Sequence, residues 1–250
     1  MKIAVCIKQV PDTEAKIRIG ADGKTIDSTG VNFVLNPYDE FAVEEALQIK
    51  ERLGAGEITV LSLGPERVTA AIRTALAMGA DNAVHLKIDD ANLDSHTVAV
   101  LLSQVLKERA FDLVLLGKQA VDDDSAQVGP RLATLLDIPC VSVVTKLTIN
   151  ENKIVAEREV EGGVEVVEAQ LPAVITCQKG LNEPRYAALK GIMLAKKKPI
   201  EEIVPATTEA KLVIQKMEYP PSRKAGKIVG TGIDAVPELV RLLHEEAKII

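Results

Sequence analysis

Residues 113–136 read LVLLGKQAVDDDSAQVGPRLATLL, and this stretch decides the fold. Leu113–Leu116 is a short, unbroken apolar run, the pattern of a strand covered on both faces. Ser125–Leu136 has helical periodicity, so Gly117–Asp124 is a strand-to-helix turn. The same alternation recurs along the chain. Lys2–Ile7, Ile58–Leu63, Ala83–Leu86, Cys140–Val144 and Ala173–Thr176 are further strand-like runs. Asp39–Leu53 sets Ala42, Val43, Ala46, Leu47 and Leu53 on one helical face. Glu66–Met78 and Ser95–Arg109 behave alike, and Asp94 is placed to cap the second of these. Strands alternating with helices predict an α/β fold with a parallel sheet covered on both faces. Right-handed crossovers then gather the strands' carboxyl ends along one edge, where ligands sit.

After Lys146 the pattern changes. Lys153–Val160 and Val164–Ala169 flank Gly162-Gly163 and predict a β-hairpin. Pro199–Lys227 carries Pro205, Pro220 and Pro221 with little helical period, an extended arm with one strand expected around Lys211–Met217. Ala235–Ala247 is a last helix. The expected division is therefore 1–198, the α/β domain, and 199–250, an arm and helix that lie along another chain.

Composition excludes several classes. A net charge of -6, no Trp and only 3 Tyr and 3 Phe argue against nucleic-acid binding. No apolar run is long enough to cross a bilayer, so membrane insertion is not expected. The strand pattern starts at Lys2, which leaves no room for a signal peptide and gives the expectation of a bacterial or archaeal cytoplasm. Cys6, Cys140 and Cys177 lie in strand-like runs without metal spacing, as small core residues in a reducing compartment.

Two segments carry candidate function. The first is Gly117, Lys118, Gln119, Ala120, Val121, Asp122, Asp123, Asp124, Ser125, Ala126, Gln127 and Val128, at the ligand edge. Amides opening its helix suit a phosphate, and Ser125 and Gln127 add donors. Three adjacent acids repel a phosphate unless they turn away, cap amides or hold ribose hydroxyls. An Asp-rich cap with no ligand has the same pattern; the position at a parallel strand's carboxyl end favours binding.

The second segment follows the Ala173–Thr176 strand and breaks at Gly180. Leu181, Tyr186, Leu189, Ile192, Met193 and Leu194 stand among Lys179, Arg185, Lys190, Lys196, Lys197 and Lys198, with one acid, Glu183. Pro184 predicts a short helix starting at Arg185. A segment both apolar and basic suits a surface that meets other proteins, although a covered helix with a solvated lysine tail has similar composition.

The run L-N-E-P-R-Y-A (Leu181, Asn182, Glu183, Pro184, Arg185, Tyr186, Ala187) followed by A-K-K-K resembles the signature of the electron transfer flavoprotein beta subunit family, and the resemblance extends from Met1 to about Gly226. It implies that residues 180–198 are a recognition loop for acyl-CoA dehydrogenases and similar flavoenzymes, with Leu189 as anchor. It also implies an adenine nucleotide alpha-hydrolase-like fold and a buried AMP. The AMP positions fall on Cys6, on Asn36, Pro37, Tyr38 and Asp39, on Leu63, and on Gly117 through Val128. Cys6 and Leu63 end strands, and Pro37 opens the helix near Asp39. A larger alpha subunit would hold most of a shared FAD, with Glu159 touching its flavin domain. Electrons would pass singly from dehydrogenases of fatty acid β-oxidation to a membrane quinone oxidoreductase. The flavin-bifurcating type of the family, which uses NADH and a second FAD, has D-G-D-T where this chain has Asp122-Asp123-Asp124-Ser125. Asp123 removes the close approach that glycine gives there, which favours AMP, although Ala126–Pro130 is similar to the bifurcating type.

Bond-breaking chemistry is not legible. No G-x-G-x-x-G follows a strand, no Walker loop is present, and Gly226-x-x-x-Gly230-x-Gly232 follows the arm as a flexible turn. His85, His96 and His244 are isolated, as surface or satisfied core histidines would be. The chain is therefore expected to be an electron carrier and no enzyme. The rival readings are a bifurcating subunit and a free-standing adenine-nucleotide module.

Overall fold

The computed structural model of the chain describes residues 1–89, 93–206, 208–222 and 225–250. The chain divides into two units, Met1–Met217 and Glu218–Ile250. The first opens with β1 (Lys2–Ile7), β2 (Gln9–Pro11) and β3 (Phe33–Leu35), then α1 (Pro37–Leu53). Next come β4 (Glu57–Gly64), α2 (Thr69–Met78) after a single 3-10 turn, β5 (Asn82–Lys87), α3 (Ser95–Arg109) and β6 (Leu113–Gly117). The segment then runs through α4 (Val128–Leu136), β7 (Cys140–Asn150), β8 (Lys153–Val160), β9 (Gly163–Gln170), β10 (Ala173–Cys177), α5 (Leu189–Ala195) and β11 (Glu201–Ile203).

The main sheet has nine strands in the order β11-β5-β4-β1-β6-β10-β7-β8-β9. From β11 to β7 neighbouring strands run parallel, and β8 and β9 extend the sheet antiparallel as the expected hairpin. A separate antiparallel ribbon joins β2 to β3. The strands' apolar side chains split between two cores. Ile3, Val5, Ile58, Leu115 and Ile175 face α1 and α2, while Ala4, Leu61, Val84 and Val114 face α3 and α4. Both faces are covered, as near-continuous apolar strands require.

β1 sits between β4 and β6. The chain leaves it on one side through α1 and returns on the other through α3, so the strand order reverses beside β1. A crevice opens at the carboxyl ends of strands at such a point. Cys6, Lys8 and Gly117 stand at these ends.

Three expectations shift. The helix after the acid triplet begins at Val128, three residues beyond Ser125, because Asp124 and Ala126 hold left-handed backbone (φ 50° and 52°) that interrupts it. The helix expected from Arg185 begins at Leu189, because the Arg185 amide and guanidinium are both engaged by Glu44. No strand forms over 211–217 among the described residues. Instead Lys211 and Leu212 donate their backbone N–H groups to Asp94 Oδ2, and Met217 donates to the Gly23 carbonyl at 2.8 Å. Asp94 also caps α3 through Thr97 at 2.7 Å, so one carboxylate serves both the helix and the chain crossing it.

In the second unit a turn at Ile233–Ala235 leads into α6 (Val236–Leu242) and then a π turn, Leu243–Ala247. Arg241 bridges Glu238 and Glu245 along the helix. Leu239, Val240 and Val236 remain exposed.

Candidate nucleotide site and docking surface

The start of α1 is built to hold the 117–121 loop rather than to cap itself. Asn36 precedes the helix but makes no side-chain cap. Its Nδ2 donates to the Gln119 carbonyl at 2.9 Å, and its Oδ1 accepts from the Val121 N–H at 3.2 Å. Pro37 follows at the first turn, where a missing N–H costs nothing. Asp39, 4 % exposed, then accepts from the Lys8 N–H at 2.7 Å and the Gly117 N–H at 2.9 Å. Two side chains therefore join the ends of β1 and β6 to one helix. Burial pushes Asp39 up to about 7, against the pull of these amides and Asn36. Burial, then the Asp39 charge, pushes the Cys6 thiol up to about 12, so Cys6 is a packing residue and no nucleophile at neutral pH.

Lys8 is the residue that sequence reasoning missed. Its Nζ reaches Asp122 Oδ1 at 2.7 Å and Asp123 Oδ2 at 3.1 Å. Burial disfavours its charge, but the two acids outweigh that and raise its pKa. The acid triplet is thus turned onto a cation and onto its own loop. Asp123 Oδ1 accepts from the Ser125 N–H at 3.1 Å, and Asp124 accepts from Gln119. A lysine directly after a first strand, together with an acid cluster elsewhere, was the available signal, but 114 residues separate the partners.

Beyond the triplet the chain enters α4 with no side-chain cap, leaving the first amides of that helix without an intrahelical partner. Gln127 Oε1 accepts from Arg131 at 2.7 Å and from Ser95 Oγ at 3.1 Å, tying the helix start to α3. Gly129 lets α4 sit on β10, since a Cβ there would lie 2.4 Å from Thr176 Cγ2. Leu63 and Val128 pack on the core that contains Cys6. Lys118 Nζ stands 5.2 Å from the centroid of the Tyr38 ring. The structure thus brings Asn36–Asp39 together with Gly117–Val121, and places Cys6, Leu63 and Val128 on one apolar border. The carboxyl edge offers uncapped helix amides, acids partly offset by Lys8 and an apolar wall, an arrangement that suits a small phosphorylated ligand.

The second segment has a fixed backbone and free apolar side chains. Asn182 Nδ2 donates to the Phe41 carbonyl and to Glu45, both at 3.1 Å. Arg185 donates to Glu44 from Nε at 2.8 Å and to Glu51 from Nη1 at 2.6 Å. Pro184 is half-buried beside it and Glu183 is exposed. Arg73 donates to the carbonyls of Ala195 and Lys198, closing the end of α5. Gly191 allows α5 to rest on α2, because a Cβ would meet the Ala77 carbonyl oxygen at 2.4 Å. Tyr186 (99 %), Leu189 (75 %), Met193 (62 %) and Ile192 (41 %) nevertheless stay exposed. Ordered chain with apolar side chains facing water is a candidate interaction surface. Glu159 lies exposed on β8, opposite Val164 of β9. No helix among the described residues is long and apolar enough to cross a membrane.

Known proteins resemble this chain along most or all of its length. The electron transfer flavoprotein domain family matches residues 23–208. The chain is 46 % identical over 100 % of both chains to the electron transfer flavoprotein subunit beta of Bacillus subtilis. It is 46 % identical to that of Syntrophomonas wolfei over 90 % of this chain and 88 % of that one. To the human subunit it is 42 % identical over 96 % of each. Proteins of this kind carry electrons and have no bond-breaking chemistry of their own. With a family match over most of its length and relatives more than 40 % identical from end to end, the chain belongs to the electron transfer flavoprotein beta subunit family.

Proposed function

We propose that this chain is the beta subunit of a cytoplasmic, heterodimeric electron transfer flavoprotein in which it holds AMP and carries the docking surface, while an alpha subunit holds most of a shared FAD. When bound, the FAD supplies the one-electron chemistry. The chain's own residues supply a base, a nucleotide cradle and a handle. Residues 180–198 engage acyl-CoA dehydrogenases or related flavoenzymes, and a quinone oxidoreductase takes the electrons onward. Glu159 and the chain after Lys198 face the alpha subunit.

The observation that carries this reading is the combination at Asp123. Its carboxylate occupies the Ser125 amide and pairs with Lys8. That removes one backbone donor from the loop, leaving the uncapped start of α4 as the phosphate site. One such site suits a single phosphate better than the pyrophosphate of a second FAD. Asp122, paired with Lys8, and Asp124, hydrogen-bonded by Gln119, remain as acceptors for ribose hydroxyls.

Docking is tested by Leu189→Ala. Because Leu189 is mostly exposed, the substitution leaves stability and the nucleotide site unchanged. Loss of an interface anchor costs about 2 kcal/mol, so dehydrogenase-driven flavin reduction slows roughly 30-fold at limiting concentration. Stopped-flow reduction of the heterodimer, with FAD and AMP content measured on the same sample, checks this. Wild-type kinetics in the variant would remove Leu189 from the docking surface.

A further inference from the structure

We propose that Glu66, His85 and Glu202 form a binding site for a divalent transition-metal ion, of the class represented by zinc(II). His85, expected as a surface or a satisfied core histidine, is fully buried on β5. Its Nε2 lies 2.8 Å from the Gly64 carbonyl oxygen. A carbonyl only accepts, so Nε2 carries the hydrogen and a neutral ring presents a lone pair at Nδ1. Nδ1 is buried and has no hydrogen-bond partner. A backbone carbonyl fixing the tautomer from the far side is how metal-ligating histidines are held.

The acids come from two other elements. Glu202 on β11 is the direct register partner of His85 in the parallel pairing, so both side chains leave the same face of the sheet. Glu66 lies in the turn after β4. One possible ligand atom from each of the three residues lies within 4.8 Å of the others. Around zinc with bonds of ~2.1 Å, tetrahedral ligand atoms stand about 3.4 Å apart. Glu66 and Glu202 are 63 % and 52 % exposed, free to close that gap by side-chain rotation. Imidazole with two carboxylates matches zinc and its neighbours rather than magnesium or calcium, and leaves a fourth position for water.

The place of the cation is already marked by charge. Lys87 Nζ stands 2.7 Å from Glu66 and 3.6 Å from Glu202. The single ammonium offsets one of the two carboxylate charges and leaves the His85 lone pair without a partner. A metal ion satisfies all three groups and releases Lys87, itself 37 % exposed, to solvent. The ion would fasten β11, an edge strand of three residues, to the ends of β4 and β5.

The test uses the chelator-treated heterodimer carrying His96→Asn and His244→Asn, which leaves His85 as the one imidazole of this chain's 3. Zinc is titrated at neutral pH by calorimetry, with far-UV circular dichroism confirming the fold. One equivalent binds to this chain. Glu202→Gln, at an exposed position that folding does not need, weakens binding about tenfold or more, since even supporting partners of a metal site are worth ~10–100-fold. Lys87→Gln tightens it by removing the competing ammonium. The proposal is overturned by absence of zinc binding, by a Glu202→Gln affinity equal to the parent, or by weaker binding in Lys87→Gln.

Discussion

Gly117→Ala is expected to strip the nucleotide from the chain and to lower its melting temperature by roughly 6–12 °C. A Cβ at Gly117 would stand 2.5 Å from Asp39 Oδ1, 2.6 Å from Tyr38 Cβ and 2.7 Å from the Tyr38 backbone carbon. None of these is the loose end of a flexible chain. Asp39 Oδ1 is bonded to the Gly117 amide itself, and Tyr38 lies in the first turn of α1. Relief requires pushing α1 away from β6. That breaks the bonds from Asn36 and Asp39, which are the means by which helix and loop share one position. Overpacking of this kind costs about 3 kcal/mol, and each kcal/mol shifts the melting temperature by roughly 2–4 °C in a unit of this size. Thermal unfolding and nucleotide release by acid are the measurements. Unchanged melting with full nucleotide content would mean that the contact between α1 and β6 is not what shapes the site.

Glu44→Ala is expected to free the docking segment while leaving the nucleotide bound. The Glu44 side chain is 4 % exposed and accepts from the Arg185 N–H, Nε and Nη2 and from Gln48. Burial works against its charge, yet these donors outweigh burial and hold its pKa below the usual carboxylate value. Breaking a buried pair costs ~3–5 kcal/mol. Here the Arg185 side chain is 36 % exposed and keeps Glu51, so the loss falls to about 1–2 kcal/mol. That suffices to release residues 183–188, which have no helix of their own, while Asn182 stays held by Phe41 and Glu45. Dehydrogenase-driven reduction then slows about tenfold, the equivalent of ~1.4 kcal/mol. AMP content stays at wild-type level, because Asp39 and Asn36 lie about one and a half and two turns away, at the start of α1. Reduction within twofold of wild type, or loss of AMP, would contradict this assignment of roles along α1.

These two positions show what the amino-acid order made legible. Period and apolar runs placed the parallel strands and their helices, since each is a local pattern set by burial on one or both faces. Short elements escaped. β2, β3 and β11 have three residues each, too few for any period to show, and are set by their partners in the sheet. The strand expected around Lys211–Met217 rests on the Pro-rich arm's lack of helical period, but the amides of Lys211 and Leu212 are taken by Asp94, 117 and 118 residues away, instead of a neighbouring strand. Pro184 likewise suggested a helix from Arg185 by a local rule, which a carboxylate 141 residues away overrides. The site followed the same division. The strand-end residues and the acid triplet stood out as a motif, whereas the cation that makes the triplet compatible with a phosphate, Lys8, had no local signature. Gly117 shows the opposite case. It could be read as the turn after a strand, but its need for bare backbone arises from the approach of Tyr38 and Asp39, visible only in three dimensions.

The account stands on one division of labour: this chain holds a single-phosphate adenine nucleotide, and the redox flavin belongs chiefly to its companion. Denaturing the purified heterodimer and separating the released nucleotides by chromatography tests that most directly. One FAD and one AMP per heterodimer is the predicted result; two FAD and no AMP would contradict it.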